Sequence, residues 1–138
     1  MKKLNCILLV DDNVNDNFFH TIAIKDANAA EQINTATDGQ MALEYFDKTK
    51  ENPNQYPFPD LIFLDINMPK LNGFEFLEKA REKIFFDNNK LPVIVILTGS
   101  LNPNDEEIAK EKFSNEIKDF KNKPLTTEML REIIEKFF

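Results

Sequence analysis

The sequence predicts an α/β protein: a doubly wound sheet of five parallel strands with helices on both faces. Short apolar runs alternate with segments of helical periodicity, an alternation typical of repeated βα units. The runs 61–64 and 93–97 are apolar at every position, which indicates strands covered on both faces, as in parallel sheets. The predicted strands are 6–10, 32–36, 61–65, 93–97 and 117–120.

Helical segments fill the spaces between these strands. They are predicted over 15–26, 38–50, 73–84 and 104–113, with a last helix at the C-terminal end. The last helix has the clearest apolar stripe, with helical spacing, formed by Leu130, Ile133, Ile134, Phe137 and Phe138. Residues 51–59, from Glu51 to Pro59, contain three prolines and two asparagines and are predicted to form a surface loop before the third strand.

Length and charge narrow the class of protein. The 138 residues suit one domain. The net charge of −7 argues against nucleic acid and against an anionic membrane surface, because both need a basic patch. The apolar stretch near the N-terminus is too short for a signal sequence, and no apolar run approaches about 20 residues, so we expect a soluble, cytoplasmic protein. Cys6 lies in an apolar strand and is expected in the core, whereas His20, in the first helix, is expected at the surface.

Chemically active side chains follow four of the predicted strands. Asp11 and Asp12 follow the first strand, Asp65 ends the third, Thr98 follows the fourth, and Lys123 comes three residues after the fifth. In open α/β sheets, ligands bind beyond the carboxyl ends of the strands. A lone acid pair or Lys-Pro is usually no more than a turn, but the joint placement predicts three acids, a hydroxyl and an ammonium at one edge.

Three acids at one edge predict a divalent cation. Two like charges 4 Å apart repel by about 4 kcal/mol at an effective dielectric constant of 20, and a hard cation with oxygen ligands removes this conflict. Mg²⁺ needs few protein carboxylates and keeps waters that a phosphoryl oxygen can replace. A Ca²⁺-binding EF-hand starting at Asp11 is rejected, because Asp16 stands where glycine is required and Ile22 where the bidentate glutamate is required. A carboxylate beside Mg²⁺ can attack a phosphoryl group and form an aspartyl phosphate.

Five motifs resemble the receiver domain of two-component response regulators. They are LLVDDN at 8–13, ATDGQMAL at 36–43, LIFLDINMP at 61–69 with Gly73 after it, ILTGS at 96–100 and NKP at 122–124. The resemblance extends from about residue 5 to residue 138. It implies a flavodoxin-like fold with strand order 2-1-3-4-5.

The resemblance also implies roles for individual residues. Asp65 would accept a phosphoryl group from the phosphohistidine of a histidine kinase or a histidine phosphotransferase. Asp12 would bind Mg²⁺ directly and Asp11 mostly through water, with Asp65 and the backbone carbonyl of Asn67 completing the protein ligands.

Two further roles concern the fourth and fifth strands. Thr98 would be the switch hydroxyl and Lys123 the lysine that pairs with the phosphate. Phe120 occupies the position of the family's switch aromatic residue, where the family often has tyrosine. Without a hydroxyl, Phe120 could signal only through packing.

The resemblance suggests a stand-alone receiver, with residues 1–138 forming a single domain and no output domain. Its downstream protein is not named by the sequence. The face formed by the fourth helix, fifth strand and fifth helix is the expected surface for that partner or for a phosphorylation-dependent homodimer; its residues include Ile108, Lys112, Phe113 and Phe120.

Two other functions remain open at this stage. The first is a phosphorylation-independent binding module that has kept the fold. The second, less favoured, is an aspartyl-phosphate phosphatase of the haloacid dehalogenase type, which also uses an aspartate at a strand end and Mg²⁺. That class needs a second aspartate two residues on as general acid, and here the residue is Asn67. We therefore expect a modified acceptor and not a turnover enzyme.

Overall fold

Strands and helices alternate along the chain, as the sequence predicts. The computed structural model describes residues 1–83, 85–86, 91–100 and 102–138. The strands are β1 (Leu4–Val10), β2 (Ala30–Ala36), β3 (Leu61–Leu64), β4 (Val93–Thr98) and β5 (Ile117–Asn122). The helices are α1 (Val14–Asp26), α2 (Gly39–Glu51), α3 (Gly73–Glu82), α4 (Pro103–Lys112) and α5 (Thr127–Phe137). The predicted end of the third helix, residue 84, lies outside the described residues. Over these ranges, no helix combines the length and the apolar character needed to cross a bilayer.

The sheet has the order β2-β1-β3-β4-β5, and every pairing is parallel. The predicted strand order is therefore confirmed. Val10 pairs with Ala36 on one side and with Leu64 on the other. The residues that come directly after Val10 and Leu64 are Asp11 and Asp65, so the register places the two acids side by side at the carboxyl ends of β1 and β3.

The central strands are buried on both faces, which explains why β3 and residues 93–97 of β4 are apolar at every position. In β1, Leu8 and Val10 join the core beneath α2, α3 and α4, whereas Ile7 and Leu9 join the core beneath α1 and α5. Burying each such side chain contributes about 1.5–3 kcal/mol. The predicted stripe of α5 is buried at Leu130, Ile133 and Ile134, but Phe138 follows the helix and is exposed.

Each helix begins at a side chain that caps its first turn. The capping residues are Asn13, Asp38, Asn72, Asn102 and Thr126, and each accepts a hydrogen bond from the backbone N–H three residues on. Such a cap contributes about 1 kcal/mol. In α1 the cap is the residue after Asp12, so the helix starts directly at the acidic edge of the sheet.

The proline-rich loop is only partly a surface loop. Residues 51–55 are exposed, as predicted, but Pro57 and Pro59 are buried. The Tyr45 hydroxyl donates to the carbonyl oxygen of Pro57 (2.6 Å), and the Asn34 side chain donates to that hydroxyl (3.0 Å). Tyr45 therefore ties the second half of the loop to α2 and β2.

Candidate functional site

The ends of β1 and β3 bring Asp11 and Asp65 to one edge of the sheet. The backbone N–H of Asp65 donates to Val10 O (2.9 Å), and the N–H of Asp11 donates to Ala36 O (3.0 Å). These bonds continue the strand ladder by one residue and fix both backbones. The two acids are buried, with 4% and 6% of their surface exposed.

Asp12 joins these two acids in one cluster. One carboxylate oxygen from each of Asp11, Asp12 and Asp65 lies within 4.8 Å of the others, and Asp12 is the exposed member. Burial raises the pKa of the Asp11 carboxyl, although hydrogen bonds from Lys123 and the Asn13 backbone oppose the increase. Negative charge is therefore concentrated where water is scarce, and a cation there is stabilised.

The ammonium of Lys123 is the counterion of this edge. Its Nζ lies 2.6 Å from Asp11 Oδ2, 2.8 Å from Asp16 Oδ2 and 3.2 Å from Asp65 Oδ2. Burial alone would lower the pKa of Lys123, but the hydrogen bonds to Asp11 and Asp16 and the charge of Asp65 raise it above its ordinary value. Lys123 therefore stays charged at neutral pH.

The backbone beside Lys123 places it next to the end of β4. Its N–H donates to Thr98 O (2.8 Å), and the Lys123–Pro124 peptide bond is cis. Thr98 is buried. Phe120, three residues before the lysine, is half-buried and packs against the core beneath α2, α3 and α4. Thr98 thus adjoins Lys123, while Phe120 belongs to the packing of β5.

Asp65 has a different partner on each carboxylate oxygen. The backbone N–H of Asn67 donates to Oδ1 (3.3 Å), and Lys123 approaches Oδ2. The chain then passes Gly73, where an added Cβ would lie 2.7 Å from the Asp65 carbonyl oxygen and 3.0 Å from Ile66 Cα. Only glycine allows α3 to begin this close to the acid.

Sequence reasoning missed Asp16 as a member of the site. Asp16 lies in the first turn of α1 and binds Lys123 from a distance of 107 positions along the chain. A signal was present: an acid in the first turn of a helix that starts at the end of β1 lies close to that edge. In the sequence analysis, Asp16 enters only as the residue that is incompatible with a Ca²⁺-binding loop.

The inner face of α1 also differs from the prediction. His20 was expected at the surface; this is wrong, because only 3% of it is exposed. Asn17, His20 and Ile24 form the buried face, while Val14, Phe18, Phe19 and Ile22 are exposed. Most of the large apolar residues of α1 therefore point outward, although Ile24 is buried, so apolar periodicity selects the wrong face. The spacing 17, 20, 24 was the available signal.

Asn17 and His20 lie beneath the acids. The Asn17 side-chain N–H donates to the Asp11 carbonyl oxygen (2.9 Å), which fixes the end of β1, while its Oδ1 has no hydrogen-bond partner among the described residues. Burial lowers the pKa of His20, although the nearby Asp16 charge opposes the decrease. His20 is therefore held as a neutral imidazole.

The donor set fits a hard divalent cation. Among the described residues, four carboxylates, those of Asp11, Asp12, Asp16 and Asp65, gather at this edge with one ammonium, that of Lys123, which contacts all of them but Asp12. With all four ionised, three negative charges are in excess. Carboxylate oxygens are the ligands that Mg²⁺ and Ca²⁺ prefer. The arrangement can thus hold a cation beside a carboxylate whose second neighbour is a lysine, a combination suited to phosphoryl transfer.

Comparison with protein families gives a match over most of the chain. The profile of the response regulator receiver domain matches residues 7–135. Among solved structures, a two-component response regulator from Cytophaga hutchinsonii is 28% identical, with a TM-score of 0.83, over 98% of this chain and 97% of that one.

Curated relatives contain the same unit within different proteins. Response regulator Rcp1 of Synechocystis is 33% identical over 67% of this chain and 60% of its own length. A probable cyclic di-GMP phosphodiesterase of Vibrio cholerae is 34% identical over 77% of this chain. The chain spans only 21% of the length of that relative.

Proposed function

The chain belongs to the response regulator receiver domain family, and we propose that it is a switch that is phosphorylated on Asp65 in a two-component system or phosphorelay. The donor would be the phosphohistidine of a histidine kinase or of a histidine phosphotransferase. The observation that carries the proposal is the position of the Lys123 ammonium, 3.2 Å from Asp65 Oδ2, at the edge where Asp11 and Asp12 converge on Asp65.

Mg²⁺ would be held by Asp11, Asp12 and Asp65, with the Asn67 backbone carbonyl as the remaining protein ligand. The bound ion would neutralise charge on the phosphoryl oxygens. In favour of this set, its three carboxylate oxygens lie within 4.8 Å of one another, and the single charge of the Lys123 ammonium beside them does not balance three carboxylates.

The proposed transfer exchanges one bond to phosphorus for another. A carboxylate oxygen of Asp65 forms the new O–P bond while the N–P bond of the phosphohistidine breaks. The bonding electron pair stays on the imidazole nitrogen of the donor. Lys123 pairs with the phosphoryl oxygens and keeps its proton, because its pKa is raised. Acetyl phosphate can serve as a small donor, with acetate as the leaving group.

The switch needs contacts that exist only after phosphorylation. Shifting a two-state equilibrium from 1:99 to 99:1 takes about 5.5 kcal/mol, and a hydrogen bond to a charged group contributes about 1.5–3 kcal/mol. A bond from the Thr98 hydroxyl and one or two loop N–H groups would be sufficient. Phe120, which like Ile108 packs against the core beneath α2, α3 and α4, would transmit the change through packing.

Two surfaces suit the partners of such a switch. The donor must cover the acidic edge, and the start of α1 presents the exposed apolar residues Val14, Phe18 and Phe19 beside it. Exposed apolar groups of this kind mark contact surfaces. For the downstream protein or a second copy, we propose the face with Ile108, Lys112 and Phe120. Phe113, expected on that face, is buried and would not be part of it.

Intact mass measurement tests the proposal. Mixing the protein with acetyl phosphate and Mg²⁺ should add about 80 Da, the mass of one phosphoryl group, and Asp65→Asn should abolish the adduct. Thr98→Ala should still be phosphorylated, yet respond poorly in partner binding. An unmodified protein would favour the binding-module function, and steady phosphate release over many turnovers would favour a phosphatase.

A further inference from the structure

Asp16 contacts the lysine of the site without belonging to the acid cluster. Its Oδ2 lies 2.8 Å from Lys123 Nζ, whereas the three converging acids are Asp11, Asp12 and Asp65. Of the three carboxylates that hold Lys123, two are therefore also candidate ligands of a cation. Asp16 is the third. A cation bound by the cluster would not use the Asp16 carboxylate, which would therefore remain paired with Lys123.

The first turn of α1 directs Asp16 toward this role. In α3, the acid at the equivalent position, Glu75, accepts a hydrogen bond from the backbone N–H of the capping residue Asn72 (3.0 Å). In α1, the N–H of the capping residue Asn13 donates instead to Asp11 Oδ1 (2.9 Å). The Asp16 carboxylate is thus not engaged with its own cap and reaches Lys123.

The number of donors on the lysine matches the number of carboxylates. An ammonium has three N–H donors, and Lys123 has three carboxylate oxygens of described residues within 3.2 Å. A cation bound to Asp11 and Asp65 would compete with the ammonium for the same two groups. Without Asp16, the lysine would then have no carboxylate to itself and would lose a defined position.

We propose that Asp16 is a positioning residue for Lys123, which keeps the ammonium beside Asp65 Oδ2 when a divalent cation occupies the acid cluster. The kinetic consequence, faster phosphoryl transfer to Asp65, depends on the proposed function. The ion pair by which Asp16 positions Lys123 does not depend on that function. The two parts are therefore tested by separate measurements.

The first measurement observes the lysine directly. In ¹⁵N-labelled protein, an ammonium held in ion pairs exchanges its protons slowly and gives an NMR signal, which Lys123→Met identifies by its loss. We expect Asp16→Asn to speed this exchange about tenfold, the equivalent of one charged hydrogen bond, with and without Mg²⁺. Asp26→Asn, at the far end of α1, removes the same charge and should leave the signal unchanged. Equal exchange in Asp16→Asn and the unsubstituted protein would overturn the proposal.

The second measurement compares phosphorylation rates in two backgrounds. With acetyl phosphate and saturating Mg²⁺, Asp16→Asn should slow formation of the Asp65 adduct about fivefold, because part of the charged hydrogen bonding is lost. In the Lys123→Met background the same change should cause no slowing, since the residue through which Asp16 acts is gone. Equal slowing in both backgrounds would mean that Asp16 acts on its own, contrary to the proposal.

The substitution is designed to leave the helix intact. The Asn13 side chain accepts from the backbone N–H of residue 16, a bond that does not depend on the side chain at that position. Should the unsubstituted protein take no phosphoryl group, the proposed function fails, while the NMR measurement still decides whether Asp16 holds Lys123.

Discussion

Lys123 Nζ lies 2.6 Å from Asp11 Oδ2, so a residue just before the last helix provides the counterion for the end of the first strand. The contact joins β5 to β1 across β3 and β4, because the sheet order separates these strands by two others. The stability of the acidic edge therefore depends on a long-range ion pair.

Replacing that lysine should destabilise the cation-free protein. Lys123→Met leaves the buried Asp11 and Asp65 without an ammonium, at a cost of about 3 kcal/mol in unfolding free energy at pH 7. Added Mg²⁺ should reduce the loss. The pKa of Asp11 is raised, so its carboxyl takes up a proton above its ordinary pKa of about 3.9, and the loss should shrink as the pH falls toward that value. Urea unfolding in the presence of a chelator measures this loss, with Lys121→Met, near the end of β5, as the control. An equal loss of stability in both variants would contradict the assignment.

His20 should make stability fall as the solution becomes mildly acidic. Burial lowers its pKa below the ordinary 6.5. Just below pH 6.5, His20 is therefore protonated in the unfolded chain but still neutral in the folded protein. The contribution of neutral His20 to the unfolding free energy is thus complete above pH 6.5. Below that pH the unfolding free energy decreases, by at most about 1.4 kcal/mol per pH unit. His20→Gln should flatten the curve of unfolding free energy between about pH 7.5 and about pH 5.5. Since His20 is the only histidine of the chain, parallel curves for the two proteins would exclude a buried neutral imidazole.

Replacement by alanine should destabilise the protein at Gly73 but not at Gly99. A Cβ on Gly73 would lie 2.7 Å from the carbonyl oxygen of Asp65, whereas a Cβ on Gly99 would meet no atom of the described residues within 4 Å. Gly73→Ala should therefore cost about 1–3 kcal/mol and slow modification of Asp65 by displacing it. Gly99→Ala should leave both properties nearly unchanged. Thermal unfolding and the phosphorylation assay measure the pair, and a tolerated Gly73→Ala would show that the backbone can yield there.

Arg81 should stabilise the junction of α3 with the segment after α4. Its guanidinium donates to both carboxylate oxygens of Glu116 and to the Lys112 carbonyl, and it lies over the Phe113 ring at 4.6 Å. Glu116 is buried, so Arg81→Ala leaves an uncompensated charge and should cost about 2 kcal/mol. Because this cost comes from the stranded charge, adding Glu116→Gln to Arg81→Ala should recover part of it.

The matched control for this change is Lys79→Ala, an exposed cation on the same helix. Chemical unfolding of the three variants distinguishes a buried ion pair from a general effect of losing positive charge on α3. If Arg81→Ala costs no more than Lys79→Ala, the contact with Glu116 contributes little to stability.

Most of the site was predictable because strand ends are local features. Apolar runs ending in Asp11 and Asp65 indicate both the strands and the edge where their side chains emerge, and the parallel register then makes these acids level. Sequence reasoning misses Asp16 and places His20 at the surface for a different reason. Their roles depend on which face of α1 packs inward, and the exposed Phe18 and Phe19 hide that choice from any reading based on apolar periodicity.

The sequence by itself determined the alternation of strands and helices, the double-sided burial of the sheet, and the acids, hydroxyl and lysine at its edge, because each follows from short-range patterns of apolar and polar residues. Only the tertiary structure decided which partners those residues take. Lys123 meets Asp11, Asp16 and Asp65 because the twist and register of five strands bring distant positions within hydrogen-bonding distance. That distance is a property of the packed chain, and no local pattern encodes it.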